Sequence, residues 1–204
     1  MLLSDIRKYL RQYGPTAPSV LIDRMFIEAT QELCSRARVV TETVGNVTLD
    51  GSADYAITPP TGMELVEPLA IRSNNADLVK RPKRKIGGAN LSRVGTAAYF
   101  YKSNVNRIGI APLQASGTLT DIECSFRPTD DTTEIDDELW QEYGKTIRDG
   151  ALSKFLSIRG KDWTDLGLAE FHLNRFEDAL DIAVEKAADG NMVGIKRTVK
   201  YGGI

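Results

Sequence analysis

His172, Cys34, Cys124 and a few clustered charges are the residues of this chain with chemistry to offer. General-base work by His172, the single histidine, would need a nucleophile beside it, and no Gly-x-Ser-x-Gly turn is present to supply a serine. Its neighbours Phe171 and Leu173 place it on a helix with an apolar side, where a structural or half-exposed imidazole is the simpler role. Asp136 and Asp137 could trade a proton as a pair, but two acids just before a helical run also cap it. Asp130 and Asp131 read as a solvated turn. The cysteines match neither a redox pair nor a zinc spacing, and both fall at apolar positions, where they act as small hydrophobes. Gly87-Gly88-Ala-Asn90 lacks the lysine and spacing of a phosphate loop. The expectation is a protein without catalytic residues, metal or cofactor, and not an enzyme.

Two basic segments remain. Lys80-Arg-Pro-Lys-Arg-Lys85, followed by Gly87-Gly88, reads as a flexible surface loop, with Lys80, Arg81, Lys83, Arg84 and Lys85 as candidate contacts for an acidic partner. Residues 191–204 hold three bases (Lys196, Arg197 and Lys200) and no acid. There Val193, Ile195, Val199 and Tyr201 alternate with small or polar residues, a pattern suited to a segment that orders by adding to a partner's surface. Ile195, Lys196, Arg197, Val199 and Tyr201 are accordingly candidate interface residues.

Helices at both ends of the chain must position these segments. Leu3, Ile6, Leu10 and Tyr13 predict a helix over residues 2–13. Ile22, Met25, Phe26, Ala29, Leu33 and Ala37 predict a second over residues 19–38, with Ser19 as its N-cap. Residues 136–188 predict an antiparallel helical pair. Asp136 caps the first and Leu139, Tyr143, Ile147, Ala151, Phe155 and Ile158 form its stripe; Asp162 caps the second, with Phe171, Leu173, Phe176, Leu180 and Ala183 on its apolar side.

Between them the period becomes strand-like. Thr118, Thr120, Ile122, Cys124 and Phe126 share one strand face, Asn104 and Asn106 mark a hairpin, and Pro68 puts its strand at an edge. The fold class is therefore α+β: an antiparallel four-helix core from both chain ends, a small antiparallel β insertion and an extended C-terminal arm. The expected divisions are residues 1–38, 39–128, 129–190 and 191–204.

A hydrophobic content of 42% and a charged content of 26% describe an ordinary globular chain. No stretch is long and apolar enough to span a membrane, and Met1-Leu-Leu-Ser-Asp-Ile-Arg7 is unlike a secretory signal, so no membrane partner is expected. The net charge of −2 conceals a division. Residues 72–107 carry nine bases against one acid, whereas residues 131–190 carry fifteen acids against seven bases. Segments so opposed suit complementary surfaces within or between subunits.

Several short phrases resemble the head-to-tail adaptor proteins of short-tailed bacteriophages, the tail tubular protein A type. Tyr55-Ala-Ile-Thr-Pro59 is similar to that group's Tyr-x-Leu-Pro strand end, with Thr58 where the pattern has leucine. Ile108-Gly-Ile-Ala-Pro112, Phe126-Arg-Pro128 and Ile135-Asp-Asp-Glu-Leu-Trp140 with Tyr143 match as well, and the likeness covers most of residues 1–188. The resemblance implies a structural virion protein made in the host cytoplasm and placed in the neck or tail. It further implies a homo-oligomeric ring, usually of twelve copies, between the portal protein and the tail nozzle, with DNA passing through its lumen. The alternative is a small nucleic-acid-binding protein that uses residues 80–85 and the basic tail on phosphates; a small enzyme such as a cell-wall hydrolase lacks its catalytic set.

Overall fold

The computed structural model describes residues 1–190; residues 191–204, and with them Ile195, Lys196, Arg197, Val199 and Tyr201, lie outside the described residues. The expected first helix is divided at Arg7 into α1 (Leu3–Ile6) and α2 (Lys8–Arg11). Arg7 keeps helical dihedrals, but Leu10 and Arg11 both donate to its carbonyl, which tightens the turn. Its guanidinium reaches sideways to Asp23 through two bonds of 2.7 and 2.6 Å. α3 (Ser19–Ala37) is continuous, burying Ile22, Phe26, Ala29 and Leu33 at helical spacing. Its N-cap is Pro18 rather than Ser19, whose hydroxyl instead accepts from Arg11 at 2.7 Å. Arg38, left-handed at φ 55°, ends it.

Nine strands follow among the described residues: β1 (Thr41–Val44), β2 (Val47–Thr48), β3 (Asp54–Ala56), β4 (Met63–Ser73), β5 (Ala76–Asp77), β6 (Val79–Lys80), β7 (Tyr99–Asn104), β8 (Arg107–Ala111) and β9 (Thr118–Pro128). One sheet runs β1-β9-β4-β5 with β2 also on β9, and the second runs β3-β8-β7-β6. The β7–β8 hairpin turns at Asn106, φ 50°, as its asparagines predict, and Asn106 also accepts from the Leu65 amide across the sheets. Pro68 lies on a stretch of β4 that β5 leaves open, since β5 pairs only with Arg72 and Ser73.

Two expectations for the strands fail. The insertion is not wholly antiparallel, because β6 runs parallel to β7. The predicted face of β9 also slips: Leu119, rather than Thr118 and Thr120, is buried with Ile122, since Asp121 at φ 47° resets the alternation. From Ile122 the pattern resumes through Cys124 and Phe126. The two sheets face each other over one core of Tyr55, Leu65, Phe100, Ile108, Ile122 and Phe126.

α4 (Gly88–Ser92) is short. α5 (Asp137–Leu156) begins as predicted, with the Asp136 carboxylate accepting from the Leu139 amide at 3.0 Å. The cap of α6 (Leu166–Gly190) is Asp165 rather than Asp162: its carboxylate accepts from Leu168 at 2.9 Å and its carbonyl from Ala169. Ala169, His172, Phe176, Leu180 and Ala183 face inward, while the expected core residues Phe171 and Leu173 point outward.

The helical core joins the two ends of the chain, with Ile6, Leu10, Phe26 and Leu33 packed against Ile147, Phe155, Phe176 and Leu180. Among the described residues it is built of the long helices α3, α5 and α6 and the short first helix divided at Arg7. Gly150 lets α5 approach closely, for a Cβ there would meet the Phe176 ring at 2.8 Å and Ala29 at 3.1 Å.

Cys34 sits in this core and Cys124 between the sheets, both fully buried, and burial pushes each thiol from 9.0 up to about 12. The folded state therefore favours the neutral thiols. Their contribution is complete below the unfolded pKa near 9 and is lost as pH rises toward 12, at about 1.4 kcal/mol per pH unit for each. Unfolding midpoints in urea, followed from pH 8 to 11, should fall less steeply for a Cys34→Ala/Cys124→Ala chain than for the native one. Equal slopes would refute the assignment.

Candidate assembly interface

The basic residues lie on the outer side of the β7–β8 hairpin. Alternation along β7 sends Phe100 into the core and leaves Tyr99 and Tyr101 on the opposite face. Tyr101 pairs directly with Gly109, where a Cβ would stand 2.3 Å from the ring, so the glycine lets the tyrosine lie flat across β8. Ile86 is 4% exposed and anchors the basic segment against Tyr101 and Ala111.

The segment is consequently not the flexible loop that its composition suggests. Val79 and Lys80 form a strand, the Arg81 amide donates to the Phe100 carbonyl at 3.0 Å, and Lys83–Lys85 close a 3-10 turn. The Arg81 guanidinium stands 4.6 Å from the Tyr99 ring and the Lys83 ammonium 5.7 Å from that of Tyr101.

Lys80 is paired with Glu67, and Arg107 with Asp54, whose carboxyl Arg107 and Ser103 hold below its usual range. Among the described residues Arg81, Lys83, Arg84, Lys85 and Arg93 carry no ion pair, and all five are exposed. Sequence reading missed the aromatic support, because Arg81 and Tyr99 become neighbours only through the parallel β6–β7 pairing. The available signal was the Tyr99-Phe100-Tyr101 alternation.

The acidic counterpart lies on α6. Glu170, Asp178, Asp181 and Glu185 are exposed without an ion pair among the described residues. Between them Phe171 is 53% exposed, Ile182 60%, and Leu173 and Val184 are also open.

His172 belongs to a different arrangement, inside the helical core. Its Nδ1 lies 2.9 Å from the Asp149 carboxylate, whose other oxygen takes Arg175 at 3.2 Å. Both His172 and Asp149 are buried, and the imidazole Nε2 has no hydrogen-bond partner. The trio pins α5 to α6, and no hydroxyl or thiol is bonded to the imidazole among the described residues.

Two of the adaptor-like phrases meet in space, Tyr55 pairing with Ile108 between β3 and β8, while Phe126 fills the core before Pro128 leads toward α5. No helix among the described residues is long and apolar enough to cross a membrane. No curated protein sequence matches the chain. The family model described as SU10 adaptor protein does match, over residues 1–197, and bears out the resemblance to phage head-to-tail adaptors. The chain thus belongs to the SU10 adaptor protein family, with a structural role at the head-to-tail junction of a phage particle.

Proposed function

We propose that this adaptor works as a homo-oligomeric ring between the portal protein and the tail nozzle, with DNA passing through its lumen. The observation that carries the reading is the outer face of α6, where Phe171 and Ile182 are exposed among four acids. Two large apolar side chains exposed on one face of a helix suit a covering partner. The unpaired cations Arg81, Lys83, Arg84 and Lys85 on the hairpin offer the complementary surface on a neighbouring copy. Such an interface is heterologous, and head-to-tail repetition closes into a ring when the rotation allows.

Residues 1–38 and 129–190 then form the helical body, residues 39–128 the lobe that meets the neighbour, and residues 191–204 an arm. Acids left facing the lumen repel phosphate, so DNA slides rather than binds. Electron microscopy of the purified protein with portal-bearing heads tests this. A closed ring at the vertex is the expected image, most simply with twelve copies, and monomers decorating no vertex would refute it.

The exposed cations Arg81, Lys83, Arg84 and Lys85 also favour a second reading, in which the hairpin binds nucleic acid through its phosphates. Affinity for DNA that falls steeply with salt in the monomer would support that reading over the ring.

A further inference from the structure

The helical body carries a groove on the side of α3. It has a volume of about 720 Å³ and lies between α3 from Val20 to Gln31, the start of the chain and residues 130–133, which begin in a turn. Its floor is apolar: Leu3 and Ile27 are buried there, whereas Leu2 is 50% and Val20 79% exposed. The rim is acidic. Arg7 is taken by Asp23 and Arg24 by Glu28, which cancels those four charges. Asp130 accepts only from the neutral Gln31 amide, and Asp131 has no ion pair among the described residues. The groove therefore presents apolar surface beside two uncompensated carboxylates.

We infer that this groove receives residues 191–204 of a neighbouring copy, an inference that rests on the ring reading. The segment has the matching composition, with Val193, Ile195, Val199 and Tyr201 for the floor, three cations for the rim and no acid to oppose it. Geometry favours a neighbour's segment over the chain's own. α6 ends beside the C-terminal end of α3, since Ala187 and Ala188 line a cleft with Arg36, Ala37 and Arg38. The groove runs along α3 from Val20 to Gln31, with Val20 at the end remote from Ala187 and Ala188 of α6. Returning along α3 to Val20 covers about 27 Å. In extended form that takes about eight residues, so within one chain Val193 and Ile195 fall short of the Val20 end. In a head-to-tail array, one copy's α6 end is instead brought to the next copy's groove.

The experiment mixes two full-length chains, Val20→Cys and Tyr201→Cys, under mild oxidation during assembly. Cys34 and Cys124, both fully buried, stay in place. The expected product is a disulfide between positions 20 and 201 of different copies, identified by mass spectrometry. Its yield should fall roughly fivefold when Asp131→Lys is added to the Val20→Cys chain. Rings that form without the cross-link overturn the groove assignment and leave the ring standing. A link found only within a single chain carrying both substitutions overturns the neighbouring copy as donor. Absence of rings altogether overturns both.

Discussion

Deleting residues 191–204 is expected to abolish incorporation into DNA-filled heads while moving the thermal midpoint of the isolated chain by no more than about 2 °C. The stability half follows from the core, whose buried residues reach no further along α6 than Ala183 among the described residues. The assembly half follows from composition. A segment of fourteen residues with alternating apolar positions, three bases and no acid has the means to bind an acidic partner. Ordering it costs about 1–2 kcal/mol per residue, which a short segment recovers only through contacts with something else. Main-chain hydrogen bonds and burial of Ile195 and Tyr201 against a partner are the contacts available. Sedimentation of heads with the truncated and the full-length protein measures incorporation, and differential scanning fluorimetry measures stability. Normal incorporation of the truncated protein would remove the arm from the assembly scheme and leave the helical core untouched.

Phe155→Ala should cost about 3–5 kcal/mol, the range for emptying an aromatic site that cannot collapse. Phe155 is fully buried in α5 and stacks on Trp163 with ring centroids 5.2 Å apart and planes 5° from parallel. Its ring also touches Gly14 in the turn after α2, where a Cβ would come within 2.6 Å of it. The side chain thus joins both ends of the chain, and the void left by alanine is bounded by groups tied to separate elements. For a chain of this length the loss corresponds to a fall of roughly 6–20 °C in Tm. Phe171→Ala provides the contrast. At 53% exposure on the outer face of α6, it should alter the monomer by no more than about 0.5 kcal/mol. Its effect should appear instead as weakened ring formation. Chemical denaturation of both variants decides the first claim, and equal losses would show that the stacked pair lacks the anchoring role assigned to it.

The sequence by itself determined the α+β class, the helices at each end, the Asp136 cap and the β7–β8 hairpin. Each rests on interactions within a few residues: an apolar stripe at helical spacing, a carboxylate three residues from an amide, an asparagine tolerant of positive φ. It also carried the adaptor resemblance, in phrases that fold into β3, β8 and the end of β9. Other features were decided only by the tertiary structure. Asp162 and Asp165 both stand before α6, and only the folded chain shows that Asp165 caps it and that His172, rather than Phe171 or Leu173, joins Phe176 in facing the core. The phase of β9 turned on a left-handed Asp121, a conformation that residue type permits without requiring. The basic segment looked like a loop because its order comes from elsewhere: Ile86 plugs a cluster built by β7 and β8, and Tyr99 and Tyr101 arrive beneath Arg81 and Lys83 only when β6 pairs with β7. Local preferences differ there by amounts smaller than the free energy of burying one large side chain, so long-range packing makes the choice.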